Sequence, residues 1–386
     1  MMKCFSNQRY YRLNKLYMSS LGIWPEQTLF YRCLIPFFFS TTLISIIIPE
    51  LIRIRDVWGN VDKVIEGIPP LLVMIVSFIK VFNSSINIGK MRKVIHRISH
   101  DWEYLNDPES AEVLHNYAAR GRLITVVYSI YIYGSMSLYL ILPVMPGILD
   151  ILIPLNETRP RKPLYEAEYG VDADDYFFEI LIHSYVTTIV TISVLVSVDS
   201  MYFINVQHAC ALFKVVGVNL KMSLEEKHFK GEHGFGTIRH CINLHKDALS
   251  FADLLESTYS TAFAGIIFIY LLTMSISGVL TLIKIGQPDD MLRFASFTLA
   301  QAFSLYLNSV PGQNLIDHSL HIHSVFYEFP WYEMPAKVQR LIILMMLRSI
   351  RPCVLTAGKV YLISMESYSS VMKSAMSYFT VLSSMR

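Results

Sequence analysis

Charged residues are scarce in this sequence, and their scarcity is concentrated in long runs. Only 17% of the 386 residues are Asp, Glu, Lys or Arg, whereas 53% are hydrophobic. A soluble domain typically contains about 25% charged residues. Five stretches contain no charged residue, and a sixth contains only Lys80; they are residues 33–49, 123–149, 180–198, 257–283, 294–316 and, for the sixth, 67–89. Since about 20 apolar residues cross a bilayer as a helix, these stretches predict six transmembrane helices and argue against a soluble protein.

The C-terminal stretch is a seventh, less apolar candidate. Residues 360–386 contain Glu366, Lys373 and eight serines, and polar groups are costly in a helix that faces lipid. Steps of three and four residues place six of its positions on one helix face: Ser367, Ser370, Ser374, Ser377, Val381 and Ser384. This face predicts a wettable wall, interrupted near its end by Val381 and Met385, which could form a hydrophobic constriction in a pore. The alternative is close helix packing through small residues.

The sequence also lacks a cleavable signal peptide, so the first span is expected to target the chain to the membrane. Of the Lys and Arg residues outside the spans, 22 lie in the N-terminal segment and after the even-numbered spans, and 9 lie elsewhere. The positive-inside rule therefore predicts a cytoplasmic N-terminus and an extracellular C-terminus. The sequon at Asn156 then lies outside, where glycosylation can occur. The five cysteines lie at or inside the cytoplasmic face, where thiols stay reduced.

No internal repeat divides the chain, which we interpret as one all-α membrane domain over residues 1–386. The seven spans are predicted at about 33–52, 67–89, 123–146, 179–205, 259–284, 292–316 and 354–385. Residues 206–256 and 317–352 carry apolar side chains at helical spacing, and the apolar run 341–347 is too short to span a membrane. These two segments predict a cytoplasmic helical anchor bundle, at which subunits could meet.

Catalytic and metal-binding signatures are missing as well. The sequence contains no HExxH, phosphate-loop, GxSxG or CxxC motif, and the histidines His318, His321 and His323 lack further ligands at the spacing of a zinc site. We therefore expect no enzymatic activity, no cofactor, no metal and no nucleic-acid partner. Lys80 and Asp199, near the inner ends of their spans, are expected to pair locally or to snorkel.

Polar and aromatic side chains occur together in the predicted outer half of three spans. They are His183 and Thr187 in span 4, Tyr131 and the nearby Gly134 in span 3, and Phe294 and Phe297 in span 6. A few polar groups among aromatic ones are typical of a small-molecule pocket. Ordinary helix packing with interfacial aromatics is the alternative.

Several motifs are similar to those of the insect odorant receptor family. The ending SYFTVLSSM has Ser377, Tyr378, Phe379 and Leu382 at the family's characteristic positions, and KSAMSYF follows ISMESYSSV as in the family's last helix. Residues 301–332 resemble the family's sixth helix and its exit, especially at Gln301, Tyr306, Tyr327 and Trp331. GIWP at 22–25 is a further family-like feature.

This resemblance implies an odorant-gated, non-selective cation channel, in which four subunits each contribute the last helix to a central pore. It places the gate at Val381 and Met385, with Ser370, Ser374, Ser377 and Ser384 along the pore wall. It also implies a pocket for a volatile, mostly apolar ligand between spans 2, 3, 4 and 6. The candidate pocket residues are Met74, Ile75, Tyr131, Gly134, Leu138, His183, Thr187, Phe294 and Phe297.

The same resemblance implies a ligand-selecting subunit that partners the shared odorant receptor co-receptor in olfactory sensory neurons, because the ending differs from that of the co-receptor. A gustatory-type channel is the main alternative, although Ser384-Met385 stands where that branch has Gln-Phe. A G-protein-coupled receptor is less favoured, since an outside cysteine pair, NPxxY and a DRY-like triplet are absent. A transporter would show matching broken helices in two halves, and none is evident.

Overall fold

The chain is almost entirely helical in the computed structural model, which describes residues 9–153, 159, 163–225 and 232–384. Eleven α-helices lie within these residues: α1 Arg12–Ser20, α2 Leu29–Asp56, α3 Val61–Ile86, α4 Ile88–Tyr104, α5 Pro108–Ile141, α6 Met145–Leu152, α7 Phe177–Glu225, α8 Glu232–Ile283, α9 Pro288–Glu328, α10 Ala336–Ser349 and α11 Met365–Ser384. Two 3₁₀ turns (Leu142–Val144, Trp331–Glu333) and an antiparallel hairpin of β1 Thr356–Ala357 and β2 Tyr361–Leu362 complete the described structure.

Five of the described helices are long and apolar enough to cross a membrane: α2, α3, α5, α7 and α8. The predicted sixth and seventh spans correspond to α9 and α11, which are more polar. Helices α7 and α8 have 49 and 52 residues. At 1.5 Å per residue, each is over about 70 Å long, whereas the hydrocarbon core is about 30 Å thick. Both helices therefore continue well beyond the membrane.

The last span starts later than the predicted 354–385, because a β-hairpin precedes the helix, which begins at Met365. The tight turn of the hairpin places both Gly358 and Lys359 at positive φ, 65° and 62°, a conformation that turns consecutive strands back on each other. The hairpin packs so closely on α8 that a Cβ at Gly358 would lie 3.0 Å from the Cβ of Ala264. Hydropathy does not reveal this hairpin, since its residues are nearly as apolar as those of the helix.

The predicted cytoplasmic anchor is larger than residues 206–256 and 317–352. Those residues form the C-terminal part of α7, the N-terminal part of α8, the C-terminal part of α9 and the whole of α10, so they are helical, as their spacing predicts. Helices α1 and α4 and the start of α5 join the same bundle; for example, the indole Nε1 of Trp102 donates to the hydroxyl of Tyr11 at 3.0 Å. The sequence stretches of these three helices are polar enough to suggest simple surface connections, so their packing role was not predicted.

The buried apolar side chains form two separate clusters. The larger one extends through the cytoplasmic bundle and the inner halves of the spans. The smaller one lies at the predicted outer ends of α2, α3 and α7, and we call it the outer cluster. Its buried members are Ile46, Met74, Leu164, Tyr165, Phe177 and Leu181. This separation places a distinct group of aromatic and aliphatic side chains in the outer half of the membrane.

A candidate ligand-binding cluster and the last helix

The outer cluster is covered by residues 164–169, which we call the outer cap. Three helix ends hold its backbone: the N–H of Glu168 donates to the carbonyl of Pro49 at 3.0 Å, and the carbonyl of Leu164 accepts from Tyr139 and Arg293, each at 3.2 Å. A salt bridge of 3.3 Å also joins Glu166 to Arg53. The cap is thus tied to α2, α5 and α9 around the cluster.

Two tyrosines of the outer cap, Tyr165 and Tyr169, contact side chains of α7. For Tyr165, the number of available hydrogens fixes the direction of the hydrogen bond. The hydroxyl of Thr188 donates its single hydrogen to the carbonyl of Ser184 at 2.6 Å. The contact of 2.7 Å between the hydroxyls of Tyr165 and Thr188 therefore has Tyr165 as the donor. Tyr165 is buried, so its ring forms part of the cluster and its one polar atom is satisfied.

The predicted pocket residue His183 joins α2, α7 and the outer cap. Ser45 donates its hydrogen to the carbonyl of Thr42 at 2.8 Å, so the Nε2–H of His183 donates to the Ser45 Oγ at 2.8 Å. Burial raises the pKa of the Tyr169 hydroxyl to about 12, so this hydroxyl keeps its proton, and it lies 2.7 Å from the Nδ1 of His183. Both nitrogens of the imidazole are therefore hydrogen-bonded.

Other predicted pocket residues also lie at or beside the outer cluster. Met74 is one of its buried members. Phe297 packs edge-on against Tyr139, with ring centroids 6.3 Å apart. Phe294 is 3% exposed and has the guanidinium of Arg293 5.6 Å from its ring centroid. Spans 2, 4 and 6 thus each supply side chains to this region.

The remaining predicted pocket residues lie elsewhere in the single chain. Thr187 is buried, and its hydroxyl donates to the backbone of its own helix, 3.0 Å from the carbonyl of His183. Ile75 packs against the larger core. Gly134 has no atom within 4 Å of a built Cβ, and Leu138 is 71% exposed. The chain alone therefore does not bring Gly134 and Leu138 to the cluster.

Tyr131 begins a row of aromatic rings that ends on the last helix. Its ring lies 4.3 Å from that of Phe303, which lies 6.3 Å from Tyr306, which lies 5.7 Å from Tyr368. We call these four residues the aromatic row. They connect α5 through α9 to α11, and edge-to-face or offset contacts at such distances are favourable.

Two charged residues of the outer half were not predicted as site residues, Glu50 and Arg293. Glu50 is 2% exposed, and within the described residues its Oε2 has no hydrogen-bond partner. It follows Ile46 by four positions, so both side chains share one face of α2. The four-residue spacing from Ile46 was the sequence signal that Glu50 shares its helix face. This signal is weak, because Glu50 directly follows an uncharged run and therefore looks like the end of a span.

The inner half contains a buried ionic triad of Lys80, Asp199 and Tyr128. The ammonium of Lys80 lies 2.5 Å from Asp199 Oδ1, and the hydroxyl of Tyr128 donates to Asp199 Oδ2 at 2.7 Å. Lys80 and Asp199 are 1% and 2% exposed. The two charges of the inner spans therefore pair locally, and together with Tyr128 they join α3, α5 and α7.

The last helix packs through one face and leaves its serine face open. Val371 and Ala375 are buried where α11 contacts α8 and α9. Along the predicted wall, Ser370, Ser377, Val381 and Ser384 are exposed, whereas Ser367 and Ser374 are partly buried. Met385 and the glycosylation candidate Asn156 lie outside the described residues, so their predictions remain predictions.

Two of the three histidines of the C-terminal anchor, His318 and His323, form ordinary hydrogen bonds. The ring of His318 contacts the hydroxyl of Tyr117 at 2.6 Å and the carbonyl of Asn314 at 2.7 Å, and burial lowers the pKa of His318 below its ordinary value. His323 bonds the carbonyl of Met346 at 3.1 Å. In the part of the chain that the structure describes, no cluster of three or more His, Cys, Asp or Glu could hold a metal ion.

Comparison with known proteins identifies relatives of the whole architecture. Odorant receptor 47a of Drosophila melanogaster is 26% identical over 198 residues, 49% of each chain, so the chain spans about half the length of that relative. Odorant receptor 9a of the same fly is 21% identical over 279 residues, 72% of this chain and 69% of that one. The structure of the insect olfactory receptor OR5 from Machilis hrabei, in complex with eugenol, matches with a TM-score of 0.78 and 14% identity over 98% of both chains.

At such identity the structural match shows the fold alone, and it confirms the predicted all-α membrane protein with seven transmembrane helices. The family profile described as 7tm Odorant receptor matches residues 60–376, which is most of the chain. This protein therefore belongs to the 7tm odorant receptor family, a family of multi-pass membrane receptors and not of enzymes.

Proposed function

We propose that this chain is the ligand-selecting subunit of an odorant-gated cation channel in the plasma membrane of olfactory sensory neurons. It binds a small, mostly apolar odorant in the outer cluster. Together with the shared co-receptor, it forms a non-selective cation pore that its last helix helps to line.

The outer cluster is the observation that carries the proposal. It gathers aromatic and aliphatic side chains with a few polar atoms at fixed positions, which suits a small-molecule site. It is separate from the larger core and lies under a cap tied to three helices by hydrogen bonds. The structurally similar OR5 receptor was solved with eugenol, a small and mostly apolar molecule, which supports a ligand of that kind for this family member.

The aromatic row offers a physical link from span 3 to the pore helix, although Tyr131 packs against the larger core and not against the outer cluster. Tyr131, a predicted pocket residue, lies at one end, and Tyr368 on α11 lies at the other. Packed rings have discrete arrangements and not a continuum, since side chains occupy rotamer wells. A ligand that favours one arrangement at Tyr131 would therefore bias the position of α11.

The exposed serine face of α11 supports the pore assignment. A spanning helix with hydroxyls on an open face tolerates them where the face meets water or another subunit. Val381 interrupts that face and is 52% exposed, as a gate residue contributed to a shared constriction would be in one isolated subunit. Only the sequence supports a role for Met385 in the same gate.

Partnership with the co-receptor is supported by Lys373 on the last helix. Its side chain is exposed, and four lysines around one cation path would repel the permeating ions. An assembly that includes co-receptor subunits would place fewer of these lysines around the cation path.

The experiment is current recording from cells that express this chain, the co-receptor or both, with a panel of apolar volatiles and with a co-receptor-directed agonist as the control. We expect odorant-evoked, non-selective cation current from the pair and none from this chain alone. Robust odorant-evoked current from this chain alone would contradict the role of the co-receptor. Absence of odorant-evoked current from the pair, despite a normal response to the co-receptor agonist, would contradict odorant recognition by this chain.

A further inference from the structure

One acid is buried beside the outer cluster with no hydrogen-bond partner among the described residues. Glu50 is 2% exposed, and its Oε2 has no partner in the part of the chain that the structure describes. Ile46, one helical turn earlier on the same face of α2, is a member of the outer cluster. A buried carboxyl oxygen without a hydrogen bond is costly, so an unmet acceptor here calls for a donor.

The neighbouring donors are engaged elsewhere. Four side chains interact electrostatically with Glu50: Arg293, Tyr139, Tyr165 and Tyr169. The first two donate to the backbone of the outer cap, and the other two form hydrogen bonds with side chains of α7. Within the described residues, no salt bridge of 4.0 Å or less joins Arg293 to Glu50. Aromatic rings and a cation thus lie near this oxygen, and no hydrogen bond from the described residues reaches it.

We propose that Glu50 is the specificity-determining residue of the ligand site, and that it accepts a hydrogen bond from a hydroxyl or amino group of the odorant. This inference rests on the proposed function, because it assumes that the odorant binds at the outer cluster. The ligand class is then a small apolar molecule with one hydrogen-bond donor, such as an alcohol, a phenol or a primary amine. Esters, ethers and hydrocarbons of the same size lack the donor.

The arrangement selects against molecules without a donor for a physical reason. A site that hydrogen-bonds a hydroxyl strongly rejects the analogue that lacks it, because the buried protein group is then left unpaired. The apolar members of the cluster set the size of the ligand, and Glu50 sets its polarity.

The test uses this chain expressed with the co-receptor and matched pairs of volatiles that differ in one donor. The pairs are an alcohol with its methyl ether, a phenol with its methyl ether, and a primary amine with the corresponding hydrocarbon. For the wild type we expect at least one pair in which the donor-bearing member is more potent than its donor-free partner by about 10-fold or more. The amine arm distinguishes an ammonium ligand from a hydroxyl ligand.

Glu50→Leu should abolish the potency difference within each pair, because the donor-bearing member loses its acceptor and the partner no longer leaves a buried carboxyl unpaired. The matched control is Glu179→Leu at an exposed position of α7, which should keep the wild-type ratio. Glu50→Gln, of almost the same size, should give an intermediate ratio because the amide oxygen still accepts. Surface biotinylation ensures that all variants are compared at equal amounts in the membrane.

Equal potency of both members of every pair on the wild type would overturn the role of Glu50, as would an equal loss of both members in Glu50→Leu. The wild-type comparison stands even if Glu50→Leu does not reach the surface. If the compounds evoked current but the two members of each pair were equally potent, odorant recognition would stand and only the role of Glu50 would be refuted. No evoked current from any compound would instead refute the proposed function and this inference with it.

Discussion

The two halves of helix α7 are packed in different ways. Every residue from 196 to 213 is buried, so the inner half is surrounded by other helices on all sides. In the outer half, Phe178, Ile182, Val186 and Ile189 are exposed along one face, and only the opposite face touches the cluster. One continuous helix is therefore a central core element at one end and one wall of the outer cluster, the proposed ligand site, at the other.

Their polar groups differ in the same way. In the inner half, Asp199 pairs with Lys80, and the amide of Asn205 donates to the hydroxyl of Tyr259 at 2.9 Å. In the outer half, hydroxyls such as that of Thr191 donate to the carbonyl one turn earlier in the same helix. The inner half is held by bonds to neighbouring helices, whereas the outer half is bonded mainly to the outer cap and to α2, through Tyr165, Tyr169 and Ser45. The exposed face of the outer half has few tertiary contacts, and regions of this kind rearrange at low free-energy cost.

The largest effect is expected from breaking the inner triad. Asp199→Ala leaves the ammonium of Lys80 buried and unpaired, which should lower the free energy of unfolding by about 3–5 kcal/mol. Thermal unfolding of detergent-purified protein and its folded yield measure this loss. The double variant Lys80→Met, Asp199→Leu removes both charges and should recover most of the stability. If Asp199→Ala melted at the same temperature as the wild type, the inner half of α7 would not be its more rigid part.

A smaller effect is expected from acid in the inner, cytoplasmic part of α8. Burial, with the nearby Arg348, lowers the pKa of His245 to about 4 from its ordinary 6.5. The unfolded chain therefore binds more protons than the folded one between these values, so the stabilisation is complete above about pH 6.5 and is lost as the pH falls toward 4. Between about pH 7.5 and about pH 5.5 the loss should be about 1 kcal/mol.

Melting temperature against pH measures this loss in the purified protein. His245→Gln should flatten the profile between those two values, because the titrating group is removed. His321→Gln, at an exposed position of α9, should leave the slope unchanged. A slope that persists in His245→Gln would assign the acid sensitivity to other groups.

The smallest effect is expected at the proposed gate, because co-receptor subunits of the proposed mixed channel would contribute their own gate residues. Val381→Ser places a hydroxyl in the proposed apolar constriction and should raise resting conductance, since a polar ring is easier to wet. Odorant potency should change little. The control is Met376→Ser, an exposed position on a different face of α11. An equal rise of resting current in both variants would refute the assignment of the pore face.

The sequence predicted the features that depend on pattern along the chain. Runs without charge located the spans, and steps of three and four residues located the serine face of α11. The structure adds what depends on contacts between distant segments. Leu138 shares a span with Tyr131 yet faces outward, because the rotation of a helix about its axis is set by neighbours and not by composition.

Two further features could not be predicted for a related reason. The β-hairpin before Met365 depends on the fit of Gly358 against α8, which hydropathy does not record. The unmet acceptor of Glu50 becomes visible only when the partners of the surrounding tyrosines are known. In both cases the information lies in which groups meet, and a single sequence does not contain it explicitly.

The central claim, that the outer cluster binds the odorant, is tested most directly by the agonist dose-response of Phe297→Ala beside Phe37→Ala. Phe297 packs against Tyr139 of the site, whereas Phe37 is 68% exposed on α2. With the co-receptor and at equal surface expression, Phe297→Ala should raise the half-maximal concentration by about 10-fold or more, and Phe37→Ala should not change it. The response to a co-receptor-directed agonist should be the same in both. An unchanged odorant dose-response in Phe297→Ala, or an equal loss of odorant and co-receptor responses, would contradict the claim.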